Sequence, residues 1–113
     1  MDRHYKSIFN LASLAGQILL ESGAEEYRVE DTTLRILQTS GLDRASSFSN
    51  TTGLFLSLSD TDYTDYAYSN VIRINDRDND IQKINAVNDI SRQYTSGEIN
   101  VKEAYEAMKD VRE

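Results

Sequence analysis

Cysteine, proline and tryptophan are absent from this chain of 113 residues, histidine occurs once and glycine five times. The missing cysteine excludes disulfides, thiolate catalysis and cysteine-held zinc or iron–sulfur centres. His4 stands alone near the start of the chain, so no Ser-His-Asp triad, His-pair zinc site or histidine base with a dedicated partner can be built. The glycines are too scattered for a dinucleotide or phosphate loop. Cations are scarce as well: 12 Lys and Arg stand against 19 Asp and Glu, a net charge of -7. That balance opposes the counterion release on which nucleic-acid binding depends, and no nucleic acid partner is expected. No apolar run approaches the roughly 20 residues of a bilayer span, and Met1 to Lys6 lead into an amphipathic pattern instead of a signal-peptide core. By itself the chain is expected to be soluble and not secreted. Its length suits one modest core, and without proline or a low-complexity tract there is no linker to divide it.

What the chain does have is periodicity. Tyr5, Ile8, Phe9, Leu11, Ala12, Ala15, Ile18 and Leu19 recur at three- and four-residue spacing, which predicts a helix over Arg3–Glu21 with Asp2 as its cap. Gly16 lies inside it at a cost of about 1 kcal/mol relative to alanine, which makes sense if another element packs closely there. Gly23 ends this helix, and Val29, Thr32 or Thr33, Ile36 and Leu37 carry a second to Ser40, ended by Gly41. From Arg44 the period shortens. Ala45–Ser49, Leu54–Leu58 and Ala67–Ile74 read as strands, joined by turns at Asn50–Gly53 and Asp60–Asp65, a three-stranded antiparallel meander. Helical spacing returns with Ile81, Ile84, Val87, Asn88, Ile90, Ser91 and Tyr94, closed by Ser96-Gly97. Asn100 then caps a last helix, Val101–Val111, with Glu103 as its capping-box partner. The expected fold is α+β: two N-terminal helices, the meander, and two C-terminal helices, packed on one face of the sheet.

The corner from Leu19 to Asp31 concentrates charge. Glu25, Glu26, Glu30 and Asp31 suit the start of a helix, where exposed N–H groups and the dipole favour carboxylates, and Arg28 balances them. Paired carboxylates, Glu25 with Glu30 or Asp31 and Arg28 as an anion clamp, leave acid–base hydrolysis open as one reading; surface ion pairs worth at most about 1 kcal/mol each are the plainer one. Asp76–Asp80 and Asp60–Asp65 imitate calcium loops and fail, with Ile81 at position 6 and Val87 at position 12 of the first and Val71 at position 12 of the second. Solvated acidic turns explain both, and no metal or other cofactor is expected. Tyr63, Tyr66 and Tyr68 beside aspartates suit a hairpin tip. Asn88 and Arg92, four apart, share a helix face. With Arg73 at the end of the third strand, they could converge with Arg28, Glu25 and Glu30 into a charged network, or into a zwitterion site in which guanidinium meets carboxylate and carboxylate meets ammonium.

Leu19-Leu20-Glu21-Ser22-Gly23-Ala24-Glu25, Tyr27-Arg28-Val29-Glu30-Asp31, Thr52-Gly53-Leu54-Phe55-Leu56, Val71-Ile72-Arg73-Ile74, Val87-Asn88-Asp89-Ile90-Ser91-Arg92 and Ser96-Gly97-Glu98-Ile99 follow one another in an order that resembles the N-terminal cytoplasmic domain of the threonine/serine exporter family, which also includes split exporters associated with dicarboxylate export. Glu26 departs from the family's usual threonine and Thr51 from a common turn proline. The resemblance implies a non-enzymatic, accessory role in exporting small amino or carboxylic acids, on the cytoplasmic side of the membrane. The implied partners are transmembrane helices of the same or a partner chain and a small amino or carboxylic acid, with an oligomer left open. The chain would then be a piece cut before those helices or a soluble stand-alone relative. A ligand-free oligomerisation or regulatory module is the remaining alternative, and it predicts self-association without any effect of small ligands.

Overall fold

The computed structural model describes residues 2–61 and 67–113, with Asp2 and Arg3 described by backbone alone. Its elements run α1 (Asp2–Glu21), α2 (Glu26–Gln38), β1 (Arg44–Asn50), β2 (Gly53–Ser59), β3 (Ala67–Arg73), α3 (Ile81–Thr95) and α4 (Val101–Arg112). This is the α+β order read from the sequence. The expected cap by the Asp2 side chain, and the second turn with Tyr63 and Tyr66, lie outside the described residues.

α1 is the axis of the molecule because its apolar residues cover more than half of its circumference. Ile8, Leu11, Ala12, Ala15, Ile18, Leu19 and Leu20 are all buried, and α1 touches α2, α3, α4, β2 and β3. A helix apolar on most sides can satisfy them only by being surrounded. Gly16 is where the sheet comes closest: a Cβ there would lie 2.4 Å from Leu54 Cδ2 and 2.8 Å from Thr33 Cγ2, both in packed side chains. Leu54, Leu56 and Leu58 form the buried face of β2, against which α1 packs, while α2 packs on β1. The sheet has the order β1-β2-β3, antiparallel throughout. α1 and α2 lie directly on it, and α3 and α4 pack chiefly on those two helices.

Local signals set the ends. Asn50 Oδ1 accepts from the N–H groups of Thr52 and Gly53 and from the Thr52 hydroxyl, closing the β1–β2 turn. Asp80 accepts from the Lys83 N–H at the start of α3, and Asn100 and Glu103 form a complete capping box at the start of α4. Gly23 has φ of +88°. Its left-handed conformation lets the chain leave α1 while the Ala24 N–H still reaches the Leu19 carbonyl at 2.9 Å. At the far end of β2, Thr61 donates its N–H (2.8 Å) and hydroxyl (2.7 Å) to the two oxygens of Asp43.

Two outcomes follow. Gly16→Ala should not yield the helix-propensity gain of about 1 kcal/mol; the clash with Leu54 and Thr33 should instead lower unfolding free energy by roughly 1 kcal/mol in urea titrations. The Asp43 carboxyl is held below its ordinary value of 3.8, chiefly by the Thr61 hydroxyl and then by the Thr61 N–H. A depressed folded-state value means that this support is present above the ordinary value and is lost as pH falls through the folded one. A carboxyl-carbon NMR titration should place Asp43 below 3.8, and Thr61→Val should move it part of the way back.

Candidate functional site

Backbone bonds bring α2 and α3 side by side. Just before α2 the chain turns at Gly23, and there the Glu21 carbonyl accepts from the Asp78 N–H at 2.8 Å and the Ser22 carbonyl from the Asp80 N–H at 3.0 Å. α3 therefore starts beside the start of α2. At the other end, the Thr39 hydroxyl meets the Tyr94 hydroxyl at 2.7 Å. The two helices thus run in the same sense. Burial holds the Tyr94 phenol above its ordinary value, with the Thr39 hydrogen bond pulling the other way, so it remains a neutral hydroxyl.

A cleft of about 310 Å³ opens between these helices, lined by Arg28, Asp31, Thr32 and Arg35 of α2 and Asn88, Ser91, Arg92 and Thr95 of α3. Each set follows the same i, i+3, i+4, i+7 spacing, the stripe that one helix face presents. Three guanidinium groups share the cleft with one carboxylate. That carboxylate, Asp31, pairs with Arg35 at 3.0 Å. Arg92 is joined by Asp89 of its own helix. Both pairs are exposed, so each contributes little to stability and either arginine can turn to another anion at small cost. Arg28 makes no ion pair or hydrogen bond among the described residues through its guanidinium, and neither does the half-buried Asn88 amide through its side chain. Thr95 donates back to the Ser91 carbonyl at 3.0 Å, which leaves its oxygen free to accept. The arrangement offers a positive, hydroxyl- and amide-rich recess in a chain of net charge -7. It suits a small anion with further hydrogen-bonding groups.

Of the six residues singled out from the sequence, Arg28, Asn88 and Arg92 come together here. Glu30 turns to the sheet: its Oε2 accepts from the Ser49 N–H at 2.8 Å and the Ser49 hydroxyl at 3.3 Å. Beside it, the Thr33 and Ser47 hydroxyls meet at 2.6 Å. Glu30 is thus a clasp between α2 and β1. Glu25 is the exposed N-cap of α2, and its side chain makes no cap hydrogen bond. Arg73 ends β3 opposite Gly53, beside Phe55 and Val71 on the outer face of the sheet. Thr32, Arg35, Ser91 and Thr95 were not singled out. Their signal is the polar stripe repeating Arg28-Asp31-Thr32-Arg35 on one helix and Asn88-Ser91-Arg92-Thr95 on the other, but spacing says nothing about which two stripes will face each other.

No group of three or more Asp, Glu or His side chains among the described residues is placed to hold a metal ion. No helix among them is long and apolar enough to cross a membrane. Neither curated proteins nor solved structures give a match to the chain. A family model described as "putative threonine/serine exporter" matches residues 10–113. That span runs from the third turn of α1 to the last residue and takes in both walls of the cleft. The chain therefore belongs to the threonine/serine exporter family.

Proposed function

We propose that this chain is the cytoplasmic part of an exporter of small amino or carboxylic acids, and that the α2–α3 cleft receives the ligand's carboxylate. Membership of an exporter family supports the transport role. The observation that carries the site is Arg28, a guanidinium without an intramolecular partner among the described residues, beside Arg35, Arg92 and the open Asn88 amide. A planar guanidinium binds a carboxylate through two parallel hydrogen bonds, and the amide and hydroxyls along the walls can pair with an amino or hydroxyl group on the same ligand. Transmembrane helices, of the same or a partner chain, would supply the passage itself. With Glu30 committed to Ser49, Asp31 paired with Arg35 and Glu25 exposed as the N-cap of α2, no observation favours the carboxylate-pair hydrolase.

The test is a titration of the ¹⁵N-labelled chain with L-threonine, L-serine and succinate, followed by amide shifts. Resonances of Arg28, Asn88, Ser91 and Arg92 should move together and saturate, and Arg28→Ala should weaken binding roughly 10-fold or more, the effect of losing a charge-assisted pair. Glu30→Gln should lower stability while leaving affinity unchanged, since its partner lies on β1. Shifts absent at tens of millimolar ligand would remove the cleft from the transport role. So would full export activity in an exporter carrying both Arg28→Ala and Arg92→Ala.

A further inference from the structure

The face of the sheet turned away from the helices is built in four cross-strand rows. In register these are Arg44-Ser59-Ala67, Ser46-Ser57-Ser69, Phe48-Phe55-Val71 and Asn50-Gly53-Arg73. An antiparallel sheet with one wet face normally alternates apolar-in with polar-out. Here the third row breaks that rule across all three strands, with Phe48 62 %, Phe55 40 % and Val71 68 % exposed. No residue of this face is Asp or Glu, although the chain carries 19 of them. Its only charges are Arg44 and Arg73, at diagonally opposite corners.

We infer that this face pairs with the same face of a second copy, about a two-fold axis running along β2. That operation lays the apolar row on itself: Phe55 meets the partner's Phe55 on the axis, and Phe48 meets the partner's Val71. It also keeps like charges apart, since Arg73 falls over the partner's Asn50 and Arg44 over the partner's Ala67. An axis across the strands through the centre of the face would instead set the phenylalanines on the serine row. Two chains of net charge -7 repel each other, and the sheet face is an acid-free surface on which they can approach. Three strands of this length span a face of only about 14 by 23 Å, well under the roughly 800 Å² per partner of a standard interface. The dimer is therefore weak, with dissociation in the range of about 10 µM to 1 mM. The inference rests on the register and charges of the sheet alone and stands whether or not the cleft binds a ligand.

Sedimentation equilibrium of the whole chain between about 10 µM and 1 mM tests it directly. The weight-average mass should climb from 12.8 kDa toward twice that value, and the double variant Phe48→Thr, Phe55→Thr should stay monomeric with an unchanged circular dichroism spectrum. Phe55→Cys supplies the only thiol in the chain, so a short bis-maleimide should link it to itself in good yield. A wild-type chain monomeric throughout overturns the inference. So does a dimer that both phenylalanine replacements leave intact. Binding of a monomeric wild-type chain to phosphatidylglycerol vesicles, lost in the double variant, would overturn it in favour of lipid as the occupant.

Discussion

Two backbone hydrogen bonds at the end of α1 fix more of this molecule than any side chain does. The carbonyls of Glu21 and Ser22, orphaned by the end of the helix, accept the N–H groups of Asp78 and Asp80. Residues more than fifty positions apart are joined there, and the chain between them, α2 and the sheet, becomes a closed unit with α3 set against its flank. Gly23 makes the junction feasible. A Cβ at that position would approach Asn79 Oδ1 to 2.6 Å, and its φ of +88° is one that side chains resist. The α2–α3 cleft exists because both helices depart from this one junction in the same direction.

Around that junction, apolar and polar groups have separate tasks. Burial of the broad apolar face of α1 supplies the cohesion, in line with the dominance of apolar area in folding. Short polar side chains then set relative positions: the Thr33–Ser47 contact and the Glu30–Ser49 clasp tie α2 to β1, where helix meets sheet edge. A buried N–H left unpaired is costly, so a carboxylate that satisfies Ser49 has a structural task that its charge alone would not reveal. At the same end of α1, Arg112 donates to the Glu21 carboxylate at 3.2 Å and ties in α4.

Charge is distributed in the same divided manner. The acids lie mainly on helix starts and turns, where dipoles and water accommodate them. Two arginines of α2 and one of α3 line the α2–α3 cleft, and two more mark the corners of an acid-free sheet face. A strongly acidic chain that gathers its cations in this way has two places that differ from the rest of its surface. One is a concave recess suited to a small anion, and the other is a flat apolar row suited to a macromolecular surface.

The sequence by itself determined the elements and their ends. The spacing of Ile8, Leu11, Ala15 and Ile18, the alternation of Leu54, Leu56 and Leu58, the Asn100–Glu103 box and the turn at Asn50 are local, since each depends on residues within a few positions of one another. It also carried the family, in runs of residues whose order survives without any knowledge of contacts. Tertiary structure alone decided the site. Arg28 and Glu30 are two residues apart on one helix, a separation of about 200° around its axis, so one faces α3 and the other β1. Arg73 went to the outer face of the sheet because strand side chains alternate, and Arg35 entered the cleft because α3 lies along its stripe. Which polar stripe meets which is set by backbone bonds between residues more than fifty positions apart, and helical spacing holds no record of them.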